Sequence, residues 1–82
     1  MKILNYTVKV HPASEGGYWA EVPALPGCFT QGETIEEIAV MAKEAIEGFV
    51  EGLIRARQPV PIEKKTKKKK YQSFSFPLSV QV

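Results

Sequence analysis

One segment, residues 17–37, constrains the fold more than any other, because its prolines and glycines leave few backbone conformations open. Pro23 and Pro26 each fix their own φ and push the preceding residue out of the helical region. Gly27 can adopt the positive φ that a tight corner often needs. The pattern predicts a strand, a stiff corner, a short second strand and a helix start. The segment contains no obvious reactive centre, which favours a function that depends on shape.

A long amphipathic helix is predicted after this corner. Thr34 followed by Glu37 matches a capping box, which marks a helix N-terminus. Apolar residues then recur at three- and four-residue spacing: Ile35, Ile38, Ala42, Ala45, Ile46, Phe49, Leu53 and Ile54. Gly48 and Gly52 share one helix face and could let another backbone come close. Two tolerated glycines on a solvent face are an equally good interpretation.

Four stretches have the alternation of apolar and polar residues, or the flanking turn residues, that is typical of β-strands. Residues 3–10 predict the first strand, 18–22 the second, 28–31 the third and 73–82 the last. Pro77 lies within the last strand and favours an edge position or a bulge. The predicted class is α+β with the order βββαβ. An antiparallel three-strand meander is joined by a fourth strand, and the helix packs on one sheet face.

Length and composition restrict the class of protein. The chain has 82 residues, which predicts one domain over residues 1–82 and favours a homo-oligomer, a dimer or a tetramer. Cys28 is the single cysteine, so an internal disulfide and a cysteine metal cage are excluded. We expect no signal peptide, because the first residues lack a long apolar stretch, and no apolar run approaches the ~18–20 residues that span a membrane. We therefore expect a cytoplasmic protein with no membrane partner.

Residues suited to catalysis are scarce. The chain has no aspartate, and Glu21 is its only glutamate within a predicted strand. A paired-carboxylate or two-metal nuclease centre would need a second acid beside Glu21. The single histidine, His11, lies at a strand end, where an ordinary surface role is more common. Cys28 lacks an obvious base. We expect no enzyme activity, no metal and no cofactor.

The strongest electrostatic feature is a lysine run that we expect to form an exposed loop between residues 64 and 70. It comprises Lys64, Lys65, Lys67, Lys68, Lys69 and Lys70. Six clustered positive charges could bind nucleic-acid phosphates without sequence preference. The alternative is a solvated loop that protects the following edge strand from aggregation. The alternative is favoured, because runs of charge are usually solvated. No aromatic residue interleaves the lysines before Tyr71, so stacking on single-stranded bases has weak support.

Trp19 points away from the Tyr18 face in the second strand. If the helix covers the Tyr18 face, Trp19 lies on the open face of the sheet. An exposed tryptophan in a small protein is typical of a contact surface. Cover by the Pro23 corner or by the C-terminal segment is the competing interpretation.

The corner motif resembles that of a known family. Pro-x-Leu-Pro-Gly-Cys at residues 23–28, Gly-x-Thr at 32–34 and an Ala- and Glu-rich helix strongly resemble the HicB antitoxin family over residues 1–57. The resemblance implies a partial RNase H fold without the catalytic carboxylates. It also implies binding and neutralisation of a HicA-type toxin, a small RNA-cleaving protein.

Two departures qualify what the resemblance implies. Ala24 stands where the family commonly has an acidic residue, so no contact through that carboxylate is expected. Many members carry a C-terminal DNA-binding domain, which we do not expect here after residue 82. The leading prediction is an antitoxin-like interaction domain whose partner surface comprises Trp19, Glu21, Pro23, Leu25 and Pro26. The alternatives are nucleic-acid binding through the lysine run and a solitary HicB-like protein with another regulatory role.

Overall fold

The fold, taken from a computed structural model that describes residues 3–63 and 74–81, is a four-stranded antiparallel sheet with one helix. The elements are β1 (Ile3–Pro12), β2 (Tyr18–Glu21), β3 (Phe29–Gly32), α1 (Ile35–Arg55) and β4 (Phe74–Gln81). The strands lie in the order β3-β2-β1-β4, and every neighbouring pair is antiparallel. The predicted α+β class and the βββαβ order are confirmed.

The helix covers one face of the sheet and leaves the other open. Alternate β1 residues Tyr6, Val8 and Val10 are buried, as the alternation predicted. The helix buries a row spaced by four residues against them: Ile38, Ala42, Ile46 and Val50. Burial of this apolar surface is the main favourable contribution to folding.

The structure corrects two details of the predicted elements. Ile54 was assigned to the apolar helix face but is exposed, whereas Val50 is fully buried. A helix has 3.6 residues per turn, so residues spaced by four drift around the axis and Ile54 has left the core side. The third strand begins at Phe29 rather than at Cys28, because the Cys28 backbone closes the preceding corner.

The pairing of β1 with β2 is incomplete, and the chain after the helix fills the gap. The two strands pair only from Lys9 to Pro12 of β1, because β2 ends at Glu21. Beside the unpaired part, the Tyr6 hydroxyl donates to the Pro61 carbonyl at 2.7 Å. The Glu63 carboxylate accepts from the Thr7 backbone N–H at 2.6 Å and from its hydroxyl at 2.7 Å. Pro61 and Glu63 therefore accept hydrogen bonds from β1 beside the stretch that β2 leaves unpaired.

The same arrangement affects the ionisation of Tyr6. Burial, and then the neighbouring Glu63 carboxylate, raise the pKa of the Tyr6 hydroxyl. The neutral hydroxyl is thus the form that the fold stabilises, and it is the form that donates to Pro61.

The helix ends follow the sequence signals. The Thr34 side chain accepts from the Glu37 backbone N–H at 3.1 Å, as the capping box predicts. The Glu37 carboxylate in turn accepts from the backbone N–H of Glu33 at 2.8 Å. In the usual motif it would accept from the N-cap residue, Thr34, which follows Glu33. At the other end, Glu51 and Arg55 form an exposed i,i+4 ion pair at 2.7 Å, which contributes only a few tenths of a kcal/mol, roughly.

The lysine run 64–70 lies outside the described residues, as do the ends of the predicted last strand, residues 73 and 82. The domain boundaries therefore stay a prediction. Among the described residues, no helix is long and apolar enough to cross a membrane.

Two glycines in different settings give a paired stability prediction. At Gly17, φ is +72°, and an added Cβ would lie 2.9 Å from the Gly32 carbonyl oxygen. Gly17→Ala should lower the free energy of unfolding by about 1–3 kcal/mol. At Gly48 an added Cβ meets nothing within 4 Å, so Gly48→Ala should raise it by about 1 kcal/mol. Urea unfolding of both variants measures the change in the free energy of unfolding. Changes of the same sign in the two variants would contradict the backbone conformation described for the two glycines.

Candidate partner-binding surface

A row of rings crosses the sheet face that the helix leaves open. His11, Trp19 and Gln31 are cross-strand neighbours on β1, β2 and β3. The His11 and Trp19 rings stack with centroids 4.4 Å apart and planes 25° apart. On the other side of Trp19, the Phe29 ring lies at 6.3 Å and is tilted by 48°. Offset and tilted ring contacts of this kind stabilise the arrangement beyond simple area burial.

These rings remain accessible to a partner. Trp19 is 36% exposed and Phe29 is 63% exposed. Both are large apolar side chains that reach the surface, and their rings lie next to each other. Adjacent exposed aromatic rings are typical of protein contact surfaces.

A polar pair borders the rings. The His11 Nε2 atom lies 3.0 Å from the Glu21 carboxylate oxygen Oε2, and both side chains are partly buried. Lys9 is the cross-strand neighbour of Glu21 and is itself engaged in an interaction. The open face near β2 therefore carries charges of both signs, with neither sign dominant.

The proline corner follows β2 directly and is closed by its own backbone. The Leu25 N–H donates to the Val22 carbonyl at 2.9 Å, and the Cys28 N–H donates to the Leu25 carbonyl at 2.9 Å. The Val22 N–H donates to the Cys28 carbonyl at 3.2 Å, which closes the loop from both ends. Gly27 adopts φ +91°, the positive value that the sequence predicted.

Comparison with known proteins decides the family. The model of the family described as "HicB_like antitoxin of bacterial toxin-antitoxin system" matches residues 6–79. The chain belongs to this HicB-like antitoxin family.

Relatives of this HicB-like chain fall into two groups by length. A UPF0150 protein of Synechocystis sp. is 48% identical over 62 residues, which are 76% of this chain and 78% of that protein. Antitoxin HicB 1 of Photorhabdus laumondii is 34% identical over 62 residues, which are 76% of this chain and only 40% of that protein. The chain thus spans most of the first relative and less than half of the second.

Solved structures confirm the fold of the HicB-like chain. The N-terminal domain of Burkholderia pseudomallei antitoxin HicB superposes with a TM-score of 0.76 at 28% identity, covering 96% of this chain and 100% of that domain. A chain of the HicA3 and HicB3 toxin-antitoxin complex superposes with a TM-score of 0.66 at 28% identity, covering 77% of this chain and 72% of that chain.

The structure brings four of the five predicted partner-binding residues to the surface. Trp19, Pro23 and Pro26 are exposed and Glu21 is partly exposed. Leu25 is 0% exposed and belongs to the core, so its assignment as a contact residue is corrected. Leu25 packs into the core between the exposed Pro23 and Pro26, and it therefore anchors the corner to the domain.

Two other residues of the surface were missed by sequence reasoning. His11 was interpreted as an ordinary surface residue, and Phe29 was placed in a strand without a role. The cross-strand pairings His11 with Trp19 and Glu21 with Phe29 place both beside the assigned residues. The available signal was the hairpin register, since β-strand neighbours two residues apart share a face.

The remaining candidate groups have modest chemistry. Cys28 is buried, and desolvation raises the pKa of its thiol, which disfavours the reactive thiolate. Within residues 3–63 and 74–81, no three histidine, cysteine or acidic side chains gather as metal ligands would. The expectation that the chain is not an enzyme stays a prediction. Nucleic-acid binding through the lysine run also stays a prediction, because those residues lie outside the described part.

The burial of Leu25 generates a stability prediction. Leu25→Ala removes a fully buried side chain from the core, so it should lower the free energy of unfolding by about 2–5 kcal/mol. Pro26→Ala, on the exposed side of the same corner, is the control and should cost less than about 1 kcal/mol. Chemical denaturation compares the two. Equal small effects would contradict the inward orientation of Leu25.

Proposed function

We propose that this chain is an antitoxin that binds a HicA-type toxin and neutralises it by covering part of its surface. The observation that carries the proposal is the exposed Trp19 and Phe29 pair on the sheet face that the helix leaves uncovered. Aromatic residues, tryptophan above all, are enriched at the centres of protein interfaces, and here a tryptophan and a second aromatic ring lie side by side at the surface.

The proline corner supports recognition by shape. Pro23 and Pro26 are exposed next to the end of β2, and three backbone hydrogen bonds hold the corner closed. A surface that is already rigid loses little conformational entropy when a partner binds. The corner and the ring pair together make one continuous candidate surface along β2 and the loop that follows it.

The comparisons support a toxin as the partner. One similar structure is described as a complex of the toxin HicA3 with the antitoxin HicB3, and the family description names a toxin-antitoxin system. In our proposal the chain acts without catalysis. Glu21 is the acid on the proposed surface, and it is engaged by His11 rather than by a second carboxylate.

Self-association and location complete the proposal. The β3 and β4 strands are the sheet edges, and edge strands can pair with a second copy. The outer helix face also carries exposed apolar side chains at Val40 and Met41. We propose a dimer or tetramer formed through one of these elements, acting in the cytoplasm where a HicA-type toxin would reach its RNA.

Truncation of Trp19 tests the proposed surface. In co-purification and calorimetric titration with a HicA-type toxin encoded beside this chain, Trp19→Ala should weaken binding by about 2 kcal/mol or more, roughly thirtyfold. Ile54→Ala is the matched control, because it removes an exposed apolar side chain from the C-terminal end of the helix, away from Val40 and Met41. Its affinity for the toxin should stay within about twofold of the wild-type value.

Two results would contradict the proposal. One is the lack of any such neighbouring toxin together with no small protein retained by the wild-type chain. The other is a Trp19→Ala variant that keeps wild-type affinity while Ile54→Ala loses it, which would move the interface to the helix.

A further inference from the structure

We propose that His11 and Glu21 form a positioning pair that holds the Trp19 ring in one orientation on the open sheet face. The inference rests on the proposed function, because the orientation matters only if Trp19 meets the toxin. It assigns a role to the chain's single histidine, which neither the family description nor the corner motif includes.

The first contact is the stack between His11 and Trp19. The two residues are direct cross-strand partners on β1 and β2, so the hairpin itself places their side chains next to each other. Their ring centroids are 4.4 Å apart and the planes are nearly parallel, at 25°. The imidazole therefore covers one face of the indole and blocks rotation of the Trp19 side chain towards β1.

The second contact fixes His11 itself. Its Nε2 atom lies 3.0 Å from Oε2 of Glu21. In this contact the imidazole Nε2 acts as the hydrogen-bond donor and the Glu21 carboxylate oxygen accepts. Glu21 is two residues from Trp19 on the same strand and shares its face. Through these two contacts Glu21 orients His11, and His11 orients Trp19.

The third contact limits Trp19 on its other side without covering it. The Phe29 ring lies 6.3 Å from the Trp19 ring, and it is the more exposed of the two. Trp19 is therefore held between His11 and Phe29 while about a third of its surface, 36%, stays accessible. An exposed aromatic side chain that is already ordered loses less freedom when a partner binds.

This geometry favours a positioning role for Glu21 over a direct contact with the toxin. One carboxylate oxygen of Glu21 already faces His11, and Lys9 is its neighbour across the strands. If a partner bound this carboxylate instead, His11 would lose its hydrogen bond to Glu21, and the stack of His11 on Trp19 would no longer be held in place.

The free chain allows a first test, because Trp19 is its single tryptophan and the indole signal reports on this site alone. His11→Thr keeps a strand-forming residue but removes the ring. We expect its Trp19 fluorescence to be quenched more readily by acrylamide, with loss of the indole band in near-ultraviolet circular dichroism. His11→Phe keeps a stacked ring and should restore most of that band. The urea midpoint of each variant checks that the fold is retained.

Toxin binding provides the second test. His11→Thr should lower the affinity for the co-encoded HicA-type toxin roughly tenfold, and His11→Phe should recover part of the loss. Glu21→Gln should weaken toxin binding to the same extent that it weakens the indole band in near-ultraviolet circular dichroism. Glu44→Gln is the matched control, since it removes one negative charge from the exposed face of the helix. It should change neither the band nor the affinity.

The results separate this inference from the proposed function. If the wild-type chain does not bind the toxin, the proposed function fails, and the quenching data on the free chain still decide whether His11 positions Trp19. If the wild-type chain binds, but folded His11→Thr keeps both its indole band and its affinity, the positioning pair is contradicted and the antitoxin role stands. A Glu21→Gln variant that loses affinity with an unchanged band would also contradict it, because Glu21 would then contact the toxin directly.

Discussion

A single helix can cover only one face of a four-stranded sheet, and the remaining features of this protein depend on that one-sided burial. The row Ile38, Ala42, Ile46 and Val50 packs on the sheet face that carries Tyr6, Val8 and Val10. Because side chains alternate along a strand, burial of one set commits the other set to the opposite face. The same register that builds the core therefore places Trp19, His11 and Phe29 on the open face.

The rigid corner links this sheet to the helix and shapes the edge of the open face. Leu25 anchors the corner in the core, and the exposed prolines on either side of it face outwards. One segment of the chain thus contributes both to the stability of the domain and to the proposed contact surface.

Much of this architecture could be predicted from local patterns. Strand alternation, the Thr34 capping box and the proline corner each depend on residues close together in sequence, and the structure confirms them. Ile54 was misassigned because residues spaced by four drift around the helix axis, and apolar spacing alone does not show where along the helix that drift leaves the core. The contact of Glu63 with Thr7 was not predicted, since 56 residues separate the two in sequence. Long-range polar contacts of this kind leave no local signature.

The candidate surface, too, could be predicted from the sequence only in part. Trp19 was found because a strand pattern and an amphipathic helix together indicate which face is open. Its neighbours His11 and Phe29 were missed, because their contacts depend on the exact register of two hairpins. Leu25 was misassigned as a contact residue, since a corner motif does not show which of its side chains points inward.

The central claim, that the open sheet face is the partner surface, is tested most directly by NMR titration of the labelled chain with a HicA-type toxin. Backbone amide signals and the single indole N–H signal are followed during the titration. The account predicts that the largest shifts fall on the Trp19 indole and on amides of β2, β3 and the corner between them. Shifts confined to the outer face of the helix, with an unchanged Trp19 indole signal, would contradict it.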